Sequence, residues 1–507
     1  MSSFRELQEM VRFIKPQKIK HIKDTVFTRE GKLMELYEGI ASGHFDSEMS
    51  AKKYFYPQKK NRDSYFNRLK RNLQDKLADL IFFIDYTNSP YDSIHYGYIY
   101  CAKRVAMMNI WAHFGRSLSG VQSIAEKTMR VAKYHGFAEM VFFMARYCYY
   151  YYQRQNKFDK ASYYEQEFEL NSIILREEAK IDIIYNRYLK MTGEKTAKAL
   201  SLEEEKHLQN YIEEINEIRA KYSSYRLNTM AVVTLTKLYA ELKNINGSLQ
   251  LLEVVIKDAE KNPSKYPSIY LDVFYGQAIE DYTKAKKHLR AEKLYEARKN
   301  ALQEGGPNWF PFNALYVILM LHSKQYRAAF EMSQQLISHS NFIRGLSPAF
   351  QQRIHIINAF VYILAKSGKV EGFAPQENVF NVKKFINSVP SFKFDTGGFG
   401  FSVNIALFIH WLIDKDYDAL IEKRESLITY TSKHLRDEGD YRARHFLKML
   451  IAVVTKDFSR VRVEAYVKDR RLLSQLRKKP LVTAKQDLWL EMVPFEDLWK
   501  IVLEQLD

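Results

Sequence analysis

The chain has 507 residues, of which 46% are hydrophobic and 14% aromatic, a composition that supplies a large core and weighs against disorder over most of its length. Only 19 glycines and 12 prolines are present, which argues against an all-β fold. The two cysteines are too few for a disulfide framework or for a structural zinc site made of cysteines alone. The formal net charge of +17 suggests nucleic acid, an anionic membrane surface or an acidic protein as a partner, and the alternative is a lysine-rich solvated surface that binds none of them.

Residues 1–95 are predicted to form a basic N-terminal helical module. Its first helix is amphipathic and ends near Pro16, a second ends at Gly43, a third stops at Pro57, and a long helix covers 61–86. The residues predicted to face inward on the long helix are Tyr65, Leu69, Leu73, Leu77, Leu80 and Ile84. Such a module could be a helix-turn-helix unit or a cap on the remainder of the chain.

Residues 96–480 are predicted to form stacked helical hairpins. In the stretch 405–434, apolar residues recur at spacings of three and four, the polar turn Asp414 to Asp416 interrupts them, and the same period then resumes. This pattern is typical of two antiparallel helices that press their apolar stripes together. Because one hairpin cannot bury both of its sides, we expect neighbouring copies along the chain.

Copies are visible as a shared turn signature. A small or polar turn residue is followed after two positions by an aromatic or aliphatic residue, and after five by a residue that lets the helices approach. The six copies are Asn156-Phe158-Ala161, Lys243-Ile245-Ser248, Lys286-His288-Ala291, Lys324-Tyr326-Ala329, Lys415-Tyr417-Leu420 and Lys456-Phe458-Val461. Each of the two large gaps between successive copies is about twice as long as a short gap. One degenerate repeat of roughly 40 residues therefore explains the spacing of all six copies.

The segment Tyr150 to Phe168 resembles the tetratricopeptide repeat, because Tyr152, Asn156, Phe158, Ala161 and Tyr164 stand at that family's aromatic, turn, aromatic, alanine and aromatic places. Asn156 departs from the family's glycine, and the pitch exceeds the family's. The resemblance implies an all-α, right-handed α-solenoid whose groove binds a protein or peptide.

The C-terminal third also resembles uncharacterised bacterial proteins, through Asn404 to Arg471 and the closing run Pro494 to Trp499, a likeness that supplies no activity. The sequence further predicts an irregular insertion at 368–400, where repeat arrays often place binding loops. Residues 481–507 are predicted to be a capping helix that covers the last hairpin.

No enzyme chemistry is predicted. Asp395-Thr396-Gly397 matches the short motif of aspartic proteases, but that chemistry needs a β scaffold and a second aspartate, so we interpret it as a turn. The 13 histidines show no metal-binding spacing, and a lone histidine such as His410 is interpreted as a core residue. Cys101 and Cys148 lie in apolar helical context and are interpreted in the same way. We therefore expect no catalytic residue, metal or cofactor.

Charge and aromatic residues concentrate between His44 and Leu77, where cations could neutralise phosphates and aromatic rings could stack on bases. The aromatic residues could equally be core residues. The predicted nucleic-acid-binding residues are Lys52, Lys53, Lys59, Lys60, Arg62, Arg68, Lys70 and Arg71. A second basic run covers 459–485.

These observations predict a non-enzymatic helical-repeat scaffold that binds a protein or peptide partner in the groove of the array. The alternative is a nucleic-acid-binding regulator that reads nucleic acid with the N-terminal module and uses the helical array as a sensor. With no signal peptide and no apolar run of about 20 residues, we expect a soluble cytoplasmic protein without a membrane-spanning segment.

Overall fold

The structure is a computed structural model that describes residues 4–14, 31–57, 62–83, 93–114, 121–193, 200–262, 266–306, 308–342, 346–373, 380–389, 399–435, 441–481 and 488–506. Within these ranges the chain is all-helical, with 23 α-helices and no strand. It divides into two compact units. Unit 1 is Met1–Ala132 with Phe143–Tyr164, and unit 2 is Lys133–Phe142 with Glu165–Asp507. The predicted domain limits at 95 and 480 stay a prediction.

Unit 1 begins with four helices that share one core. They are α1 (Phe4–Ile14), α2 (Lys32–Ser42), α3 (Glu48–Phe55) and α4 (Arg62–Ile81). Helices α1, α2 and α3 all contact α4, and the core residues Leu7, Leu36, Phe66, Leu73 and Leu77 are fully buried. Of the predicted inward-facing residues that the structure describes, Tyr65 was wrong, since it is 47% exposed and the adjacent Phe66 takes its place. Ile84 lies outside the described residues. Two adjacent aromatic residues fit the apolar stripe almost equally well, so periodicity alone cannot choose between them.

Four helices continue the chain from here. They are α5 (Ser93–His113), α6 (Gln122–His135), α7 (Ala138–Arg154) and α8 (Phe158–Gly193), and α6, α7 and α8 each supply residues to both units. Cys101 on α5 and Cys148 on α7 are buried free thiols, as predicted, and burial raises the pKa of each to about 12. Unreactive core cysteines of this kind pack as small apolar residues.

Unit 2 is built mainly from helical hairpins. Helix α9 (Leu202–Lys221) precedes six hairpins, each of which has a first and a second helix. The first three pairs are α10 (Tyr225–Glu241) with α11 (Ile245–Lys261), α12 (Ser268–Lys284) with α13 (His288–Arg298), and α14 (Trp309–His322) with α15 (Tyr326–Ser338). The last three pairs are α16 (Pro348–Lys366) with α17 (Val382–Ser388), α18 (Phe399–Ile413) with α19 (Tyr417–His434), and α20 (Tyr441–Thr455) with α21 (Arg460–Asp469). Helices α22 (Leu472–Lys478) and α23 (Phe495–Glu504) follow. Helices α10 to α21 are called the array below. Some first helices also contact each other, as α12 does α14 and α14 does α16.

The hairpin turns share one backbone conformation. Asn156, Lys243, Lys286, Lys324 and Lys415, which are the turn residues of five predicted copies, all adopt positive φ between 56° and 65°. After each of them, the next N–H donates to the carbonyl five residues before it, as Lys287 does to Tyr282 at 2.9 Å and Asp416 to Trp411 at 2.9 Å. This is the Schellman C-cap, which satisfies carbonyls that a helix end leaves without a partner. Gly368 supplies the same turn between Lys324 and Lys415, within the larger gap between copies.

The residue five positions after the turn is buried in these copies. Ala291, Ala329 and Leu420 are fully buried, and Ala161 and Ser248 are nearly so. At the last copy the predicted register was wrong, because Val461 is 76% exposed while Val463 is fully buried. The positive φ there belongs to Asp457 and Phe458 rather than Lys456, so the loop is longer and the second helix begins later. The sequence spacing Lys456-x-Phe458 imitates the signature without adopting its backbone.

A glycine at one of the lysine turns is expected to stabilise the array. Lys286 is exposed and adopts φ 57°, a conformation that costs a residue with a side chain about 1–2 kcal/mol. We expect Lys286→Gly to raise the free energy of unfolding by about 0.5–1 kcal/mol, because the added flexibility of the unfolded chain offsets part of the gain. Lys287→Gly is the control, since Lys287 has φ −93° and should gain nothing. Urea unfolding of the two variants measures both effects, and equal stability changes would contradict the turn assignment.

Capping residues in the sequence predict helix starts at Thr28, at Ser119 with Gln122, at Ser201 with Glu204 and at Ser347 before Pro348. These predicted helix caps are confirmed where the structure describes them. Ser201 and Glu204 form a capping box, with the Ser201 hydroxyl accepting from the Glu204 N–H at 3.2 Å and the Glu204 carboxylate accepting from the Ser201 N–H at 2.8 Å. Ser347 caps α16, whose first residue is Pro348. Thr28, Ser119 and the Asp395-Thr396-Gly397 turn lie outside the described residues. Along the described helices, none has an apolar stretch long enough to cross a bilayer.

Candidate interaction surfaces

The predicted nucleic-acid-binding residues divide into three groups. Lys52 and Lys53 lie on α3, and Arg68, Lys70 and Arg71 lie on α4. Arg62 begins α4, and nothing is described of its side chain. Lys59 and Lys60 lie outside the described residues. Of the members with described side chains, Lys53, Arg68 and Arg71 are exposed.

Two of the predicted lysines hold α3 and α4 together. Lys52 Nζ lies 2.9 Å from Glu48 Oε1 and 2.9 Å from Asp63 Oδ1, and Lys70 Nζ lies 3.0 Å from Glu48 Oε2. Burial alone would raise the pKa of Glu48, but the hydrogen bonds and charges of Lys52 and Lys70 hold it below its ordinary value. Lys70 is only 6% exposed. These two charges are therefore already neutralised within the protein, and nucleic-acid binding by this set stays a prediction.

The neighbouring aromatic residues are mostly core residues. Phe55, Tyr56 and Phe66 are buried, which agrees with the alternative that the sequence left open. Tyr65 stacks on Tyr56 with ring centroids 5.8 Å apart, and Tyr54 is 56% exposed. Tyr54 and Tyr65 are thus the exposed aromatic residues among these five.

An apolar groove of about 760 Å³ lies in unit 1, between the end of α4 and one face of α5. Its lining residues are Asp79, Phe82, Lys103, Ala106, Met107, Ile110, Trp111 and Phe114. Phe82, Ile110 and Phe114 are 56%, 59% and 72% exposed, and Trp111 is 40% exposed. A contiguous patch of large exposed apolar residues often marks a site of protein interaction, whereas single exposed apolar residues are ordinary on protein surfaces.

The C-terminal segment, residues 488–506, lies on the array and contacts several of its hairpins. It packs against first helices and against the turns that follow them, which is more than a cap on the last hairpin. The contacts are His322 with Glu491, Lys324 with Asp497, Phe350 with Trp489, Lys369 with Glu504, Phe401 and Phe446 with Phe495, and Lys415 with Gln505. The segment buries Met492, Val493, Leu498 and Val502 completely. The surface of α14, α16, α18 and α20 that it touches is thus covered by the chain itself.

A buried charge network fixes this segment. Arg442 on α20 is 2% exposed and Glu491 is 1% exposed. Arg442 Nε and Nη2 donate to the two carboxylate oxygens of Glu491 at 2.8 and 2.6 Å, and Nη2 also donates to Glu496 at 2.9 Å. Its Nη1 donates to the carbonyls of Leu476 and Lys479 at 2.9 and 3.0 Å. Burial would lower the pKa of Arg442, but Glu491 and Glu496 raise it above its ordinary value, so the guanidinium stays charged.

His322 gives this contact a pH dependence. Its Nε2 lies 2.8 Å from the Glu491 carbonyl oxygen, and burial lowers its pKa from 6.5 to about 4. The neutral ring therefore donates to that carbonyl. Because the folded pKa is depressed, its stabilisation is fully present above pH 6.5 and is lost as the pH falls from there towards 4.

We expect the free energy of unfolding to fall by up to about 3 kcal/mol from this group between pH 7 and pH 4, at about 1.4 kcal/mol for each pKa unit. His322→Gln keeps a side-chain donor and should remove this part of the pH dependence. His207→Gln, at an exposed position on α9, should leave it intact. Urea unfolding across the pH range measures both, and a constant difference between the protein and His322→Gln at every pH would contradict the assignment.

His410 is a core residue, as predicted, with no exposed surface and its Nε2 3.0 Å from the Ala359 carbonyl oxygen. Sequence reasoning missed Arg442 and Glu491, the most strongly buried ion pair that the structure describes. They are 49 residues apart and neither belongs to a local motif. The basic character of α20 and the acidic residues beside Pro494 were visible, but nothing in the sequence links them.

Within the described ranges, no group of three or more His, Cys, Asp or Glu side chains is arranged to hold a metal ion. Comparison of the chain with family models, with curated proteins and with solved structures finds no match in any of the three.

Proposed function

We propose that this protein is a non-enzymatic helical-repeat scaffold that binds a protein partner, and that the partner occupies the apolar groove of unit 1. The groove carries the proposal, because it exposes Phe82, Ile110, Trp111 and Phe114 together. Aromatic side chains, and tryptophan above all, supply much of the binding energy at protein interfaces. The occupant that fits is the apolar face of an amphipathic helix or an extended apolar segment.

The geometry favours a macromolecule over a small ligand. Small-molecule sites bury most of the ligand surface and place a few buried polar groups towards it. Here the larger lining side chains stay substantially exposed, and the charged groups among the lining residues are Asp79 and Lys103. A surface of this kind is buried by a partner that covers it from outside.

A groove of the array was the expected place for a partner. From α14 to α20, the face that the C-terminal segment contacts already holds a helix of the same chain, with Met492 and Leu498 buried in it. Displacing that helix would expose several large apolar side chains, each costing about 1.5–3 kcal/mol. A partner therefore meets less resistance at the groove of unit 1.

We propose in addition that the hairpins form a tetratricopeptide-like, right-handed α-solenoid. Support for this comes from the shared left-handed turn at Lys243, Lys286, Lys324, Gly368 and Lys415, and from contacts between successive first helices. Equal turns and equal helix contacts generate a regular superhelical stack.

The experiment compares two matched charge insertions in the full chain. Ile110→Glu places a carboxylate in the groove, and Val254→Glu places one at an equally exposed site on α11, 66% exposed. Each tagged variant is crosslinked in a nuclease-treated native lysate, and captured proteins are identified by mass spectrometry. We expect a partner that the parent and Val254→Glu retain and Ile110→Glu loses. The same set of proteins captured by all three would contradict the proposal.

Analytical ultracentrifugation of the purified parent and variants tests whether the partner in the groove is a second copy of this chain. If another copy of this chain fills the groove, the parent and Val254→Glu will self-associate and Ile110→Glu will not. The partner would then be the chain itself.

A further inference from the structure

Positive charge concentrates at the end of the array. Residues 456–481 contain nine Lys and Arg against three Asp and Glu, an excess of six out of the chain's net +17 in a stretch of 26 residues. Most of this stretch forms α21 and α22, two short helices that contact each other and α20. The chain therefore places about a third of its excess charge on one small structural element.

Little of this charge is neutralised by the protein. Arg462 pairs with Asp457 at 2.8 Å and Arg460 lies 3.5 Å from Glu464, so two of the three acids are used. Five exposed cations make no ion pair with any described residue, and these are Lys468, Arg470, Arg471, Arg477 and Lys478. At the predicted site on α3 and α4, by contrast, Lys52 and Lys70 are tied to Glu48.

The cations are held on a rigid support. Val463 and Val467 of α21 and Leu472 and Leu476 of α22 are buried against the core of the array, which turns the charged positions outwards. Arg471 lies at the corner between the helices with φ 54°. Cations fixed on packed helices lose less side-chain and backbone freedom on binding than cations on a loose tail.

We infer that the outer surface of α21 and α22 binds the sugar–phosphate backbone of duplex nucleic acid. Three of the five unpaired cations are arginines, whose planar guanidinium groups bind phosphate oxygens in pairs. Tyr466 is the one aromatic residue in the sequences of these two helices. Its ring is half-buried, and Lys456 Nζ and the Arg470 guanidinium carbon lie 5.0 and 5.8 Å from the ring centroid.

Single-strand binding relies on stacking platforms that this surface lacks in its described part. A membrane-surface helix needs a continuous apolar face directed towards the lipid. Among the large apolar side chains of α21 and α22, Val461 is the strongly exposed one, at 76%. The surface therefore fits a polyanion that is bound without insertion or stacking.

The test measures binding of a short mixed-sequence DNA duplex to the full chain by fluorescence anisotropy at about 50 and 200 mM salt. The test variant carries Arg470→Glu, Arg477→Glu and Lys478→Glu. The control carries Lys53→Glu, Arg68→Glu and Arg71→Glu, which changes the net charge equally at the site predicted from sequence. We expect the test variant to lose more than tenfold in affinity, and the slope of log affinity against log salt to become shallower by about 3. The control should keep at least half the parent's affinity at low salt.

Several results would overturn the inference. These are no duplex binding by the parent at low salt, equal losses in both variants, or a loss confined to the control, which would place binding at the N-terminal module. Tighter binding to single strands than to duplex, or binding to vesicles of anionic lipid with none to duplex, would also overturn it. Should the test variant fail to fold, as judged by circular dichroism, Arg470→Gln with Arg477→Gln replaces it, with Arg68→Gln and Arg71→Gln as its control. A loss of about tenfold is then expected for the first pair alone.

Discussion

Replacement of Arg442 by alanine is expected to destabilise unit 2 by about 3–5 kcal/mol, because removing one partner of a buried ion pair leaves the other charge buried and uncompensated. Glu491 would keep the Phe495 N–H as a donor at 3.2 Å but would lose both guanidinium hydrogen bonds. The carbonyls of Leu476 and Lys479 would also lose their donor. The C-terminal segment should therefore loosen before the rest of the array unfolds.

Two variants separate this effect from a general loss of charge. Arg424→Ala removes a partly exposed arginine paired with its neighbour Glu425, which should cost less than about 1 kcal/mol. Arg442→Met combined with Glu491→Gln removes both buried charges and should recover part of the loss. Urea unfolding together with hydrogen exchange of residues 488–506 measures stability and local opening. Equal stability of Arg442→Ala and Arg424→Ala would show that the buried network does not hold the segment.

Introducing glutamate at Ala329 is expected to cost several kcal/mol, of the order of the 3–5 kcal/mol for an uncompensated buried charge. Ala329 is fully buried on α15 and follows the turn residue Lys324 by five positions. No space for a larger side chain is expected at a position where two helices approach this closely.

Val461→Glu is the matched comparison. The turn signature alone puts Val461 in the same class as Ala329, whereas the structure exposes it by 76%. We expect its effect to be within about 0.5 kcal/mol, as for other surface substitutions, and Val463→Glu to be as damaging as Ala329→Glu. Thermal unfolding of the three variants distinguishes the two registers. If Val461→Glu destabilises and Val463→Glu does not, the backbone assigned to this turn is wrong.

Much of the fold could be predicted because its signals are local. A helix stripe repeats every three to four residues, and the turn after it needs one residue of positive φ and one small buried residue. Both requirements lie within five positions of each other, as Lys324 and Ala329 show. The five turn positions, the caps at Ser201 and Ser347 and the buried cysteines were accessible to this reasoning.

The errors arose where two residues satisfy the same local rule. Tyr65 and Phe66 are adjacent aromatic residues, and only the packing of α4 against α1, α2 and α3 selects Phe66 for the core. At the last turn, Lys456 and Phe458 match the signature, yet the backbone places positive φ at Asp457 and Phe458. Tertiary packing selects between two residues that fit the same local pattern, and that packing cannot be deduced from a single sequence.

The candidate surfaces were less predictable than the fold. Pairing of Lys70 with Glu48 and of Lys52 with Asp63 depends on how α3 meets α4, and the Arg442–Glu491 pair joins residues 49 apart. Composition revealed that the chain is basic but could not show which cations are neutralised. The groove of unit 1 was equally hidden, because a stripe such as Met107, Ile110 and Phe114 looks the same whether it is buried or exposed.

The position of the C-terminal segment decides which surfaces remain for a partner, and zero-length crosslinking of the unmodified full chain tests it most directly. A carbodiimide joins a lysine amine to a carboxylate only when the two groups touch. Lys369 lies 2.9 Å from Glu504 and Lys324 lies 3.2 Å from Asp497, so peptides joined at these two pairs are predicted within single chains. Lys366 and Asp414, 2.7 Å apart and outside the segment, serve as the internal control. Recovery of the control crosslink without either of the other two would contradict the account.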